Sequence, residues 1–363
     1  MADDTRDYRA LFLNRAPLLD VRAPVEFAKG AFPGATNLPL LDDGERHKVG
    51  IRYKQAGQAA AIDLGNELVS GRVKRARLNA WRQWRADHPD GYLYCFRGGL
   101  RSRTTQAWLA NEGIDVPLVV GGYKAMRRFL LESLDAQLAR QPLWVLGGRT
   151  GCAKTRVIRQ LDNAVDLEGL AHHRGSAFGR RPGGQPTQID FENRLAIDLL
   201  RLADRGVGRV VAEDESKLIG RCFLPTRLQA RLKDAPRVLI EEPLEARVQV
   251  TLEDYVLGPL DEYRRHYGPA HAFERLAGDL LAAMDRIRRR LGGARHEDLR
   301  RRLADALEQQ RRHGESDAHR SWIRDLLAGY YDPMYDYMMS KHRDGDILFQ
   351  GTRDEVLAFL RDA

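Results

Sequence analysis

Tyr92-Leu93-Tyr94-Cys95-Phe96-Arg97-Gly98-Gly99-Leu100-Arg101-Ser102-Arg103 is an apolar, aromatic run that stops at a cysteine, passes two glycines and three arginines, and enters a helical pattern. The layout reads as strand, tight loop, helix. Backbone N–H groups of such a loop converge on an anion at the helix N-terminus. A thiol held there is expected as a thiolate at neutral pH, because the helix dipole and the guanidinium groups favour the charged form. Cys95 is the expected nucleophile, and Arg97, Gly98, Gly99, Arg101 and Ser102 form the expected anion cradle. The plainer reading of one cysteine is a half-buried small hydrophobe before a glycine turn; the arginine and glycine context argues against it.

On the N-terminal side, Leu18 to Val21 reads as a short buried strand ending in Asp20, followed by a brief helix from Pro24. Phe32-Pro33-Gly34-Ala35 is a turn into a second apolar strand. Residues 45–70 read as helix interrupted near Gly50 and Gly57, and Trp81 and Trp84 lie at helical spacing as core anchors. Beyond Cys95 a helix is expected over Ser102–Glu112, then a strand over Val116–Val120 closed by Gly121-Gly122-Tyr123-Lys124. Strands alternating with helices imply a largely parallel sheet.

Gln141-Pro142 marks a boundary, after which Leu143-Trp144-Val145-Leu146 reads as a buried strand running into Gly147-Gly148-Arg149-Thr150-Gly151-Cys152-Ala153-Lys154-Thr155 and a helical pattern. A phosphate-binding loop has Gly-x4-Gly-Lys-Ser/Thr between strand and helix. Gly148, Lys154 and Thr155 match it, and Ala153 replaces the second glycine. The expected chemistry is a diphosphate cradled by the backbone over 148–155, with Lys154 and Arg149 neutralising charge and Thr155 available to Mg²⁺. At Ala153 the backbone must either avoid positive φ or bear strain.

The long connection over about 171–188 carries His172, His173, Arg174 and Arg181, which read as a polar substrate loop, since no third metal ligand accompanies the adjacent histidines. A strand over Arg209–Ala212 ends in Glu213-Asp214-Glu215-Ser216, an acidic cluster where phosphate-loop enzymes support Mg²⁺; a helix N-cap cluster is the alternative. Asp214 joins Thr155 as the expected Mg²⁺ support. Residues 189–204 read as an amphipathic helix, Arg237 to Ile240 as a strand, and 244–332 as mainly helical and arginine-rich. Tyr330, Tyr331, Tyr335 and Tyr337 around Asp332-Pro333 suit helix packing or stacking on unpaired bases. A last strand is expected over Asp346–Gln350, returning to the phosphate-loop sheet and making the helical region an insertion. The net charge of +8 fits a polyanionic partner or phosphorylated substrates. Three dispersed cysteines exclude a disulfide framework and fit a reducing cytosol. No apolar run approaches the roughly 20 residues of a membrane span.

The Leu-Leu-Asp-Val-Arg segment at 18–22, Phe32-Pro33-Gly34-Ala35-Thr36-Asn37, the strand ending in Cys95, and Gly121-Gly122-Tyr123-Lys124 together resemble the rhodanese fold over about residues 5–130. In that fold the cysteine carries sulfur or selenium, or forms a phosphocysteine in related phosphatases. Followed by a phosphate-loop domain, the whole chain resembles the tRNA 2-selenouridine synthase family. The resemblance also rests on Leu167–Gly179, Glu213–Ser216 with Ile219-Gly220, and Tyr330-Tyr331-Asp332-Pro333-Met334-Tyr335. It implies an α/β protein: a rhodanese-like parallel-sheet domain over 1–138, then a P-loop NTPase-like α/β domain over 139–363, whose mainly helical region 244–340 contacts tRNA. It further implies action on the 2-thiouridine wobble base of lysine, glutamate and glutamine tRNAs, and the chain is expected to be a cytoplasmic monomer with no tightly bound cofactor. Geranyl diphosphate alkylates the sulfur. Selenophosphate then supplies selenium through Cys95, selenylated as an intermediate, with Arg97 and Arg101 on its phosphate. A selenophosphate synthase is an expected partner. A plain sulfurtransferase, an RNA-binding P-loop ATPase or kinase, and, more weakly, a phosphatase stay open at this point.

Overall fold

The computed structural model describes residues 3–340 and 347–362. The chain divides into two compact units, one formed by Met1–Gln137 with Thr187–Arg201, the other by Leu138–Pro186 with Leu202–Ala363. The division falls between Gln137 and Leu138, inside the helix Gly122–Arg140 and a few residues before Gln141-Pro142.

The first unit contains β1 (Leu18–Asp20), β2 (Thr36–Asn37) and β3 (Tyr92–Tyr94), joined in the order β2-β1-β3 with both pairings parallel. The expected strand at Val116–Val120 survives only as single parallel bridges, Leu93 to Leu118 and Thr5 to Val119. Pro117 has no N–H to give, which keeps the ladder with β3 from extending toward Val116. The helix Asp43–Leu68 is broken at Gly57, at φ 80°, and runs helically through Gly50. Trp81 and Trp84 are buried with Leu19, Val21, Leu93 and Leu109 in one core, as their spacing suggested.

Beneath the Cys95 loop lies a buried ion pair. Arg22 Nε donates to Asp20 Oδ2 at 2.8 Å, its Nη2 donates to the Gly30 carbonyl at 2.8 Å, and its guanidinium stacks 3.9 Å above the Tyr123 ring. Every partner is in place, which is what keeps such a buried charge tolerable.

The 187–201 segment belongs to this unit, although sequence order had placed it inside 139–363. Asp190 accepts from the Ala31 N–H at 2.7 Å, Asn193 donates to the Ala31 carbonyl at 2.8 Å, and Arg127 donates to Asn193 at 2.7 Å. These bonds answer the backbone groups of the turn after Gly30, a pairing that amphipathic periodicity does not reveal.

In the second unit, β4 (Leu143–Gly148), β5 (Ala164–Val165), β6 (Val210–Glu213), β9 (Arg237–Ile240) and β10 (Ile347–Gly351) form an all-parallel sheet in the order β10-β9-β4-β6-β5; β7 (Leu218–Ile219) and β8 (Cys222–Phe223) form a separate antiparallel hairpin. Asp346, expected to open the last strand, lies outside the described residues. β10 pairs with β9, so the helices between them, Leu244 to Met339, are an insertion with their own core around Trp322, Met284 and Leu303. From β4 the chain goes to one side of the sheet and later to the other. In open parallel sheets such a switch point leaves a crevice at the carboxyl end of the central strand, here the loop after Gly148.

The thiol loop is closed by backbone packing. The helix Gly122–Arg140 begins with Tyr123 N–H donating to the Cys95 carbonyl and Lys124 N–H to the Phe96 carbonyl, each at 2.9 Å. Gly122 sits at φ 57°, and a Cβ there would lie 2.2 Å from the Cys95 oxygen. Gly122→Ala should therefore destabilise the first unit by about 2–4 kcal/mol through strain and backbone collision. Denaturant unfolding followed by tryptophan fluorescence, with Trp81 and Trp84 in that core, measures it.

Candidate active site

β3 delivers Cys95 at its end. The side chain is 3 % exposed, with Sγ 3.2 Å from Ser102 Oγ; Ser102 Oγ also lies 3.0 Å from the Gly99 carbonyl. A hydroxyl can rotate between these acceptors, so Ser102 can donate to the sulfur once the thiol ionises. The expected arginine cradle is arranged differently. Arg101 makes a two-pronged contact with Glu26, at 2.5 and 3.1 Å, and Arg46 reaches the same carboxylate at 3.0 Å. Burial works against the Glu26 charge, but Arg101 and Arg46 outweigh it and hold the group below its usual range. Arg97 is exposed. Gly98, Gly99 and Ser102 thus shape the loop, and an anion drawn to Arg101 competes with Glu26.

The second loop is built on β4. After Gly148 the chain turns through Arg149-Thr150-Gly151-Cys152 into the helix Lys154–Ile158, and Ala153 stands at φ 65°, ψ 36°. This is the left-handed conformation a glycine adopts freely and an alanine holds at a cost of roughly 1–2 kcal/mol. The alternative of avoiding positive φ is not taken; the loop bears the strain and keeps its shape. Gly151, at φ 84°, faces Thr251 Oγ1 and the Arg247 carbonyl, where a Cβ would lie within 2.7 Å of both.

Lys154 Nζ donates to the Gly148 carbonyl at 2.8 Å. Burial opposes its charge, but Cys152, Glu168, Glu215 and Asp214 outweigh that and raise its pKa above the lysine range. Thr155 Oγ1 lies 2.8 Å from both Glu168 Oε2 and Glu213 Oε1. Burial, with Glu168 and Asp166 nearby, pushes Glu213 up to about 8. Burial likewise raises Glu168 and Glu215. Glu168 is thus a member of the acidic cluster. Asp214 is paired instead with Arg237 at 2.9 Å, and Ser216 Oγ donates to the Leu218 carbonyl. The Thr155 hydroxyl and two carboxylates are the hard oxygen donors Mg²⁺ takes, although among the described residues no group of three or more His, Cys, Asp or Glu is arranged to hold a metal.

These residues open on a cavity of about 740 Å³, within the range of small-molecule sites. The phosphate loop and Lys154 form one wall; Glu168, Asp214, Glu215 and Ser216 adjoin it. His173, Arg174, Arg181, Arg286 and Arg290 form a basic arc. Burial, with Arg180, Arg286, Arg174 and Arg181 around it, lowers His173 to about 4, so its imidazole is neutral at physiological pH. His172 is absent from that lining and holds the Gly184 carbonyl through Nδ1 at 2.7 Å. Two one-turn π-helices, Glu253–Leu257 and Leu327–Tyr331, contribute Asp254, Tyr255, Tyr330 and Tyr331 to the lining. Such turns recur at functional sites because the extra residue re-aims side chains.

The helix Asp332–Met339 is strapped to the loop from the insertion. Buried Arg247 grips Asp332 through two 2.7 Å bonds, and its Nη1 also donates to the Thr150 carbonyl at 3.3 Å; Arg149 donates to Asp336 at 2.6 Å. Arg247 and Asp336 carry no motif, and Glu168 lies within the Leu167–Gly179 segment without being singled out there. Glu168 alone had a signal, its place after the strand end at Val165 beside Asp166.

Ala153→Gly should relieve the turn and stabilise the second unit by about 0.5–1 kcal/mol, the strain released less the added chain entropy of glycine, as read by the denaturant midpoint. A pH dependence follows as well. Glu213 is raised, so its contribution is full below about 4.5 and is lost as pH rises through about 8. Glu168 and Glu215 act in the same sense. His173 and His319, lowered from 6.5 to about 4, lose their contribution as pH falls below 6.5. Between pH 6.5 and 8 only the carboxyls operate, and stability should fall by roughly 1–2 kcal/mol as pH rises. Unfolding curves across that window measure the slope, which Glu213→Gln should flatten.

The family model described as the tRNA 2-selenouridine synthase AAA domain matches residues 141–363. The chain is 65% identical to the tRNA 2-selenouridine synthase of Alcanivorax borkumensis, aligned over 99% of both chains. It is 52% identical to that of Marinobacter nauticus, over 99% of this chain and 97% of the relative, and 53% identical to that of Pseudomonas syringae pv. syringae, over 100% and 99%. A phosphate loop on a parallel sheet, a cysteine loop in a second unit, and this similarity along the full length make the chain a member of the tRNA 2-selenouridine synthase family, and an enzyme.

Proposed function

We propose that this enzyme replaces the sulfur of a 2-thiouridine in tRNA by selenium in two steps, one at each loop. The observation that supports the division is the presence of two anion-directed loops of different chemistry. One presents a thiol and the other a buried lysine with backbone donors. On this reading the first unit is a rhodanese-type module and the protein works in the cytoplasm, with selenophosphate synthase supplying the donor.

In the first step the 2-thiouridine sulfur attacks C1 of geranyl diphosphate. The C–O bond breaks with its electron pair on the departing diphosphate, and the N3 proton is released. Loop 148–155 binds the diphosphate through its N–H groups, with Lys154 and Arg149 taking up the developing charge. Mg²⁺, when bound, would be held by Thr155 and Glu213 and would neutralise further charge. Asp336 gives up Arg149 at little cost, since exposed ion pairs contribute only about 0–1 kcal/mol.

In the second step selenium bonds to C2, the C2–S bond breaks with its electrons on sulfur, and geranylthiol departs. Alkylation makes this feasible, because a thiocarbonyl sulfur is a poor leaving group and a thiol is a good one. Cys95 is the nucleophile toward selenophosphate. Attack at phosphorus forms a phosphocysteine, releases hydrogen selenide and ends, after hydrolysis, in phosphate. Attack at selenium forms a selenylated cysteine, leaves phosphite, and needs a second thiol to free the selenium. Phosphorus NMR of the released anion separates the two. The substrates are the wobble uridines of lysine, glutamate and glutamine tRNAs, and the helical region 244–340 offers the contact surface for the anticodon arm. Much of its arginine is internally paired, as with Arg300 and Asp285 or Arg302 and Asp298.

Nucleoside mass spectrometry on 2-thiouridine tRNA, with geranyl diphosphate and selenophosphate added separately and together, tests the scheme. Cys95→Ala should abolish selenation and leave S-geranylation intact. Lys154→Ala should lower geranyl transfer by about 10²-fold or more. A folded Cys95→Ala protein that has also lost geranylation would overturn the division of labour.

A further inference from the structure

The cavity at the phosphate loop is not polar all round. Ile287, Tyr330, Met334 and Met338 also line it, and the last two lie four residues apart on the helix Asp332–Met339. Residues at that spacing share a helix face. Met334 and Met338 are 36% and 43% exposed, an unusual placement for apolar side chains tethered beside a charged loop. Their helix is held there by Arg247–Asp332 and Arg149–Asp336. The buried Arg247–Asp332 pair therefore keeps an apolar face next to backbone donors and Lys154 even when the diphosphate takes Arg149 from Asp336.

We infer that this face binds the hydrocarbon chain of the allylic diphosphate whose head occupies the loop, and that Ile287, Met334 and Met338 set the chain length accepted. The inference rests on the diphosphate reading of loop 148–155. One cavity joins both surfaces, so the occupant is an amphiphile with an anionic head and an apolar tail. Methionine is unbranched and adapts to a bent chain, whereas a nucleobase needs a flat slot. Tyr330 and Tyr331 meet edge to face, 5.0 Å apart and inclined by 73°, and so offer no parallel slot between them.

The test is calorimetric binding of inorganic diphosphate, dimethylallyl diphosphate and geranyl diphosphate to the full chain. With about fourfold per buried methylene as the guide, geranyl diphosphate should bind the wild type at least tenfold more tightly than diphosphate, with the dimethylallyl ester between. Met334→Glu and Met338→Glu, at half-exposed positions that folding tolerates, should keep diphosphate affinity within about twofold and lose most of the chain's advantage. Met338→Trp should penalise geranyl more than dimethylallyl. If the advantage persists in both glutamate variants, or if the wild type binds diphosphate and gains nothing from the chain, the proposal is wrong. The underlying reading fails separately, and takes the proposal with it, if Lys154→Ala leaves diphosphate binding unchanged.

Discussion

The left-handed turn at Ala153 decides where the chemistry of the second unit can occur. It caps the helix Lys154–Ile158 five residues after β4 ends at Gly148, and it directs Lys154 back over Gly148 while Thr155 faces the carboxylates. An alanine holds this conformation only because its surroundings fix it. Gly151 packs against Thr251 and the Arg247 carbonyl, and Arg247 in turn is bound to Asp332 and the Thr150 carbonyl. The loop's shape is thus imposed by the insertion as well as by its own sequence. The insertion has its own core, so it supplies a rigid anchor for that constraint.

The same cavity separates charge by sign. Carboxyls crowd Thr155, and burial raises their pKa values; arginines and a neutral His173 also line the cavity. Arg174 and Arg181 share the one carboxylate of Glu262, at 2.8 and 3.4 Å. Arg181 has its pKa lowered by burial and by the nearby Arg174 and Arg159 charges. A dianionic ligand entering between these groups relieves both, because its charge answers the arginines while a bound cation or released protons answer the acids. Low dielectric strengthens each of these terms relative to water.

Much of this was legible in sequence because it is local. The strand–loop–helix at Gly148, the acid run at Glu213 and the cysteine turn each consist of neighbours in the chain, and Trp81 and Trp84 declared a buried face by their spacing. Ala153 posed a choice that only the backbone could answer. What sequence missed is long-range: Glu26 taking Arg101, Asn193 and Asp190 serving Ala31, and Arg247 holding Asp332. No periodicity or propensity encodes which distant carboxylate will meet a given arginine. The strand at Val116–Val120 failed for a local reason that was readable, since Pro117 stands within it.

The two loops share a backbone device and differ in how their cations are kept. In the cysteine loop Arg101 is already matched by Glu26, with Arg46 behind the same carboxylate. In the phosphate loop the restraining partner of Arg149 is the exposed Asp336, and Lys154 donates to the Gly148 carbonyl with Cys152, Glu168, Glu215 and Asp214 acting on its charge. The Arg149 pair is the weaker hold, and a diphosphate displaces it by offering more charge at the same place. On the division of labour proposed above, the phosphate loop would grip a leaving group through its departure, and the cysteine loop would meet a donor and release phosphate.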